Sequence, residues 1–409
     1  MDISRRALVL GLPAAGMIAR RAFGTTVAAR DHVSDPPTLP ASKAEFPWAA
    51  TETFINSAAY HPISAASARA MEDYIAYRRQ GPGPGRADVS DERQAEVKEM
   101  FGRLINATPD EIAFVQSTSD GENVVIAGMD LLRSGGNVVI DDLHYNSSIY
   151  IYRMLEEQGL EVRVVKQKDW TIDIRDVERV VDRRTKLVSM ALVSNVNGYL
   201  HDVKAVSDVA HAHGAYVYAD IIQAAGAVPV DVKAMGIDMC ACSAYKWLMG
   251  DRVFGFLYVR DELQGSVVRF TRFGHRQYSG FNRAEFSWTA RGGAYRYETG
   301  NIPNVVVAGV HEALRYILAL GVPRIRDYAR PLTDRLQREL PAMGYASITP
   351  RGTETPIATF LLKNPDETRA RLGRARVAVT VLNDTKQMRV SPSVFNTQQD
   401  VDALIAALA

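Results

Sequence analysis

Between about residues 111 and 260 the chain alternates short β-rich apolar runs with helix-forming ones, and that alternation leaves few architectures open. EIAFVQS precedes GENVVIAGMDLL, NVVIDD precedes SSIYIYRMLEEQG, and EVRVV, KLVSMALVS, AYVYAD, DMCACSA and GFLYVR follow in turn. Strands separated by helices wind into an α/β layer around a parallel sheet. The runs show little polar alternation, as expected of strands covered on both faces by crossover helices. With 409 residues, 47% of them apolar, the chain can build one large two-lobed unit or two domains, each with its own core. Its 48 Lys and Arg balance 47 Asp and Glu, for a net charge of +1. Neither nucleic acid nor stable insertion into a membrane is indicated, and a small molecule is the expected partner.

Ligands of such sheets lie beyond the carboxyl ends of the strands, so the residues at those ends carry the chemistry. KLVSMALVS runs into Asn195, AYVYAD ends at Asp220 with Gln223 one turn on, and DMCACSA leads through Ser243 and Tyr245 to Lys246. EIAFVQS leads into Ser117-Thr118-Ser119-Asp120 at the start of a helix, where unpaired N–H groups and the helix dipole favour an anion. A lysine, a carboxylate and a phosphate cradle in one crevice match the needs of pyridoxal 5'-phosphate. The amine must be neutral to bond an aldehyde, which desolvation promotes. The carboxylate keeps the pyridine nitrogen protonated, so that the ring acts as an electron sink.

The run from Leu187 to Arg260, with its D-x-x-Q at Asp220 and Gln223 and S-x-x-K at Ser243 and Lys246, resembles the class V aminotransferase family of fold-type I pyridoxal-phosphate enzymes. That family includes isopenicillin N epimerases, cysteine desulfurases and kynureninases, and the resemblance extends from about Phe54 to the C-terminus. It implies an α/β fold, the fold type I of pyridoxal-phosphate transferases, with a large domain built on a mostly parallel seven-stranded sheet and a smaller α+β domain. The expected spans are 65–265 for the large domain and 266–409 for the small one, with 30–64 as a linker and N-terminal segment joining the small domain.

Residue by residue, the resemblance makes Lys246 the Schiff-base lysine, Asp220 the partner of the pyridine nitrogen and Gln223 the partner of the phenolic oxygen, with Asn195 on the same ring edge. Thr118, Ser119 and Ser243 would hold the phosphate, and Tyr145 would stack on the ring. Tyr245 stands where many members have histidine, and Asn301 where they have a threonine that reaches the neighbouring subunit's phosphate; a homodimer with shared active sites is thereby implied. Arg389 matches the carboxylate-binding arginine. The segment around His275 is expected to line the pocket for the substrate's side chain.

Singly, each residue has an ordinary explanation. Thr118 and Ser119 would serve as helix caps, Asn195 and Asp220 as turn residues, Tyr145 as packing and Arg389 as a surface ion pair. Their joint placement at adjacent strand ends favours the site. Cysteine desulfurases carry a persulfide-forming cysteine shortly before the carboxylate-binding arginine; the corresponding residues 377–384 contain none, and the only cysteines, Cys240 and Cys242, fall inside a strand-like run. An aminotransferase or isopenicillin N epimerase-like activity on an amino-acid-like primary amine is therefore expected. A C–S or other β-lyase is the alternative, and a catalytically silent amine- or vitamer-binding protein is the alternative of another class.

The first residues, MDISRRALVLGLPAAGMIARR, set Arg5-Arg6 before a modest apolar stretch too short to span a bilayer. They look like a twin-arginine signal covering residues 1–29. Export of the folded, disulfide-free protein to the periplasm is expected, for tailoring a peptide or siderophore; without a working signal the protein would stay in the cytoplasm.

Overall fold

The computed structural model describes residues 38–86 and 88–409; the twin-arginine segment lies outside these described residues. Helix α1 (Pro47–Thr51) and strand β1 (Thr53–Phe54) lead into α2 (Ala65–Gln80) and α3 (Asp91–Ile105). The large layer follows as β2 (Ile112–Val115), α4 (Thr118–Gly128), β3 (Asn137–Asp141), α5 (Asn146–Glu157), β4 (Glu161–Val165) and α6 (Ile174–Val180). It continues through β5 (Thr185–Ala191), α7 (Val203–Ala212), β6 (Tyr216–Asp220), β7 (Met239–Ser243) and β8 (Gly255–Val259).

These strands form the seven-stranded sheet β2-β8-β7-β6-β5-β3-β4. Only the two pairings made by β8 are antiparallel. Two buried clusters sandwich the sheet. One face carries Val139, Val188, Val217, Cys240 and Phe256; the other carries Val138, Leu187, Tyr218, Ala241 and Leu257 beneath α4 and α5. Both-face burial explains why these runs are apolar without alternation. The winding reverses between β3 and β5, where a crevice opens beyond the strand ends.

Strands β9 (Tyr278–Asn282) and β10 (Ser287–Ala290) form a hairpin, followed by the apolar helix α8 (Asn304–Leu320) and α9 (Val322–Glu339). Helix α8 packs on α2 and α3, and ten of its residues are buried. Among the described residues no single helix is long and apolar enough to cross a membrane. Beyond α9, strand β11 (Ala358–Leu361), helix α10 (Pro365–Arg374) and strands β12 (Val377–Ala378), β13 (Thr380–Leu382) and β14 (Gln387–Val390) precede α11 (Gln398–Leu408). The antiparallel sheet β11-β14-β13 has its own core around Leu336, Phe360, Met388 and Leu404. The N-terminal segment joins this layer, with β1 parallel to β12 and Asn56 bridged to Ser391.

Candidate active site

Lys246 stands in the turn that follows β7, with only 6% of its surface exposed. Its Nζ lies 5.7 Å from the ring centre of Tyr145 and 5.7 Å from that of Tyr245. Burial lowers its pKa to about 8, helped by the positive charge of Arg389 and opposed by Asp220. A buried amine without an ion pair is costly unless it is neutral, and Lys246 occurs in no ion pair or side-chain hydrogen bond among the described residues. Asp220 closes β6. Its Oδ1 accepts the Ile222 N–H at 2.9 Å, and burial raises its pKa to about 6 against the pull of that bond and of Lys246.

Two glycines let these groups approach. The turn after Asp220 passes Gly226, at φ +92°, where a Cβ would collide with the carbonyl of Trp247. On α4, a Cβ at Gly121 would stand 2.7 Å from that of Ala241, so the helix start can lie close against the end of β7. Ser117 caps that helix by accepting the Asp120 N–H. Thr118 and Ser243 are tied reciprocally: the Thr118 N–H donates to Ser243 Oγ at 2.8 Å and the Ser243 N–H to Thr118 Oγ1 at 3.0 Å. Their hydroxyls, expected as free phosphate donors, thus join helix to strand and keep only a hydroxyl hydrogen to share. Ser119, at the second helical position, is half-buried and carries no such tie.

Arg389 reaches in from β14. One Nη donates to the carbonyl of Asn195 at 2.7 Å, while Nε is buried without a partner, as is Asn195 Oδ1. Burial pushes the guanidinium down to about 10. These two unpartnered polar atoms belong to one cluster with Lys246 and the Tyr145 ring, 36% exposed, because the Tyr145 ring lies against the lysine and the charge of Arg389 is felt by both. Its donor set suits a planar ring with an anionic tail and a carboxylate beside it, so the residues fit pyridoxal phosphate.

Residues 84–404 match the family model Aminotransferase class-V. The chain belongs to the class-V aminotransferase family. Its relatives include a probable cysteine desulfurase of Methanothermobacter thermautotrophicus, 28% identical over 71% of this chain and 73% of that one. They also include an uncharacterized aminotransferase of Bacillus subtilis, 26% identical over 89% and 95% respectively. Among solved structures, the fold matches an apo cysteine desulfurase of Thermococcus onnurineus with TM-score 0.80 and 21% identity, over 89% of this chain and 95% of that one. It also matches a cystine C–S lyase with TM-score 0.79 and 19% identity, over 89% and 98%. As in this family, the cofactor is pyridoxal phosphate, and Lys246, Asp220, Ser119, Asn195, Tyr145 and the Thr118–Ser243 pair are the residues that would hold it.

Within the protomer, Gln223, His275 and Asn301 have the following surroundings. Gln223 was assigned to the ring's phenolic oxygen. Its amide is spanned between two buried partners: one Nε2–H donates to the Ala58 carbonyl at 2.9 Å, and Oε1 accepts Trp247 Nε1–H at 2.8 Å, which leaves the second Nε2–H as the one donor for the ring. It pins the N-terminal segment to the lysine turn because Trp247 is fully buried and its N–H needs an acceptor. His275 does not join Lys246 within the protomer. It lines a cavity of about 500 Å³ with Phe270, Phe273, Tyr278 and Trp288 at the base of the β9–β10 hairpin, because that hairpin stands apart from the sheet. Asn301 is exposed and shares a small cleft with Gln116, Asp120 and Arg272 beside the start of α4, away from its own lysine.

Tyr245 keeps its place beside the lysine but stacks on Tyr60, with ring centres 5.8 Å apart at 28°, and the Arg252 guanidinium lies 5.0 Å from the Tyr60 ring centre. Sequence reasoning missed Trp247, His144 and Glu122. A tryptophan directly after the lysine was a visible signal; a single acid within α4 was not.

Proposed function

We propose that this chain removes and returns the α-proton of a carboxylate-bearing primary amine, as an aminotransferase or an isopenicillin N epimerase-like enzyme. The single observation behind this reading is the buried, unpaired Lys246 between Tyr145 and Tyr245, with Arg389 and Asp220 both near enough to shift its pKa. Bound pyridoxal phosphate supplies an electron sink for the electrons left at the α-carbon. Lys246 Nζ, whose lowered pKa of about 8 leaves a large neutral fraction near that pH, accepts and redelivers that proton. Arg389, with Nε unpartnered, binds the carboxylate through its planar fork. Asp220, with Oδ1 already engaged, offers Oδ2 to hold the proton on the ring nitrogen.

A second reading, a β-lyase cleaving a C–S bond, is favoured by the desulfurase and C–S lyase relatives. In that case sulfur leaves on a small molecule. Both cysteines are buried in β7, and burial raises their pKa values far above the reactive range. The test is incubation of the cofactor-loaded protein with L- and D-amino acids in deuterated water. A new 2-oxo acid formed only with a 2-oxo acid co-substrate marks transamination, inverted and deuterated substrate marks epimerisation, and pyruvate with sulfide marks the lyase. No α-proton exchange with any amino acid would refute proton abstraction altogether.

We also infer a homodimer with shared sites. The hairpin exposes Phe281, Phe286 and Trp288, Phe286 at 79%, a patch that stable monomers rarely leave in water. The exposed Asn301 would reach a neighbour's phosphate, and light scattering giving a monomer mass would refute this. Export, with a role in tailoring a peptide or siderophore, rests on Arg5-Arg6 and the following apolar run. Equal periplasmic amounts of wild type and Arg5→Lys/Arg6→Lys would refute the export.

A further inference from the structure

Behind the site, in the layer between the sheet and helices α4 and α5, lies a carboxyl group with no cation beside it. Glu122 of α4 is fully buried. Ser148 of α5 donates to its Oε2 at 2.7 Å, and Ser189 of β5 donates to its Oε1 at 3.2 Å. The strand register sets Ser189 beside Tyr218, two residues below the row in which Ala191 lies beside Asp220 and therefore next to it on the same face of the sheet. Glu122 therefore bonds the neighbour of the Asp220 row on that same face.

The bond directions can be assigned along a chain leading away from Glu122. The Tyr145 backbone N–H donates to His144 Nδ1 at 2.8 Å. A backbone amide can only donate, so Nδ1 carries no proton and the neutral ring holds its proton on Nε2. Nε2 lies 3.1 Å from Ser189 Oγ and donates to it. The Ser189 hydroxyl hydrogen is then free to go to Glu122. Burial keeps His144 neutral, its pKa lowered to about 4. One uninterrupted relay thus runs from Glu122 through Ser189 and His144 to the backbone of Tyr145. Tyr145 is also the N-cap of α5, where no side chain completes the cap, so this relay is what ties the residue down from behind. In front, its ring faces Lys246.

We propose that Glu122, acting through Ser189 and His144, is a positioning residue that fixes the Tyr145 ring as the aromatic wall against which the cofactor lies. The relay makes no contact with the cofactor; it acts by holding the start of α5 in one orientation. Above about pH 7, where Glu122 is ionised, its oxygens accept from both serines and specify one direction for every hydrogen bond in the relay, whereas an apolar side chain there would leave Ser189 and His144 free to reorient.

The inference rests on the pyridoxal-phosphate reading of Lys246. It is tested by two readouts apart from turnover: the dissociation constant of pyridoxal phosphate for the apoprotein, and the induced circular dichroism of the bound visible band. Ser189→Ala and Tyr145→Ala are each expected to weaken binding about three- to tenfold, the worth of one aromatic contact, and to reduce the induced signal. Because both cut the same relay, the double variant should be no worse than Tyr145→Ala alone. Ser189→Thr, which keeps the hydroxyl, should behave as wild type. Should Ser189→Ala fail to fold, Glu122→Gln and Glu122→Leu give the same comparison: the amide keeps an acceptor for Ser189 and retains affinity, and the leucine loses it.

Losses that multiply in the Ser189→Ala/Tyr145→Ala variant, or wild-type affinity and dichroism in Ser189→Ala or Glu122→Leu, overturn the inference alone. A wild-type protein that takes up no pyridoxal phosphate overturns the reading of Lys246 as well.

Discussion

The reactivity of Lys246 follows from its burial, and its titration can be worked through in advance. Its pKa is lowered from 10.5 to about 8, a difference of about 3 kcal/mol between its two protonation states. At pH 7.5 an amine of pKa about 8 is about one quarter neutral, while an ordinary lysine is about one thousandth neutral. The site therefore holds some two hundred times more of the nucleophilic form, about 200-fold by the same arithmetic. The assay is competitive labelling of the apoprotein with a small acylating reagent from about pH 6 to 11, read peptide by peptide by mass spectrometry. Lys246 should reach half-maximal labelling near pH 8, well ahead of the surface lysines.

Two variants fix the cause. Arg389→Met removes a positive neighbour and should move the midpoint up, whereas Asp220→Asn removes the negative neighbour and should move it down. A wild-type midpoint at or above about pH 10, or a midpoint that rises in Asp220→Asn, refutes the argument that burial and these two charges tune the amine.

Three further outcomes are expected. Gln223→Leu leaves the Ala58 carbonyl and the Trp247 N–H buried without partners; it should cost about 2 kcal/mol in denaturant unfolding, and unchanged stability would contradict the bridging role. Glu122, raised to about 7 chiefly by burial among Ser148 and Tyr152 of α5, Ser189 of β5, His144 and Asp220, binds a proton in the folded state that it has released in the unfolded state. Its contribution is complete below its unfolded pKa and is lost as pH rises through about 7, so wild type should lose about 3 kcal/mol relative to Glu122→Gln between about pH 4 and 8. Parallel pH profiles for the two proteins would refute this. Val253, β-branched at φ +61° in the loop after the lysine turn and largely exposed, is strained; Val253→Gly should stabilise the protein by about 1 kcal/mol, and a loss of stability would show that the loop depends on the side chain.

Local patterning carried much of the architecture and the centre of the site. Apolar runs of strand length between helical stretches specify a buried parallel sheet, because only burial on both faces leaves a strand without polar alternation. The motifs at Asp220 and Lys246 were legible because strand ends converge wherever the winding puts them, so a position in sequence translates into a position in the crevice. The start of α4 was likewise readable within Ser117-Thr118-Ser119-Asp120, since a helix cap is a local hydrogen bond, although the cap is Ser117 and not Thr118 or Ser119.

Partnerships across the fold were decided by tertiary structure alone. Gln223 has the right spacing for a cofactor ligand, yet Ala58 and Trp247 claim its amide from segments that its own neighbourhood does not specify. Thr118 at the start of α4 and Ser243 at the end of β7 each look like phosphate donors, but 125 positions of sequence separate two residues that bond each other. Glu122 gives no signal in the helix pattern, and it becomes informative only once β5 and α5 close over it. Arg389 acquires its lowered pKa from the layer that folds around it. A sequence fixes which groups can donate, accept or carry charge; packing decides which of them meet and how much water is left between them.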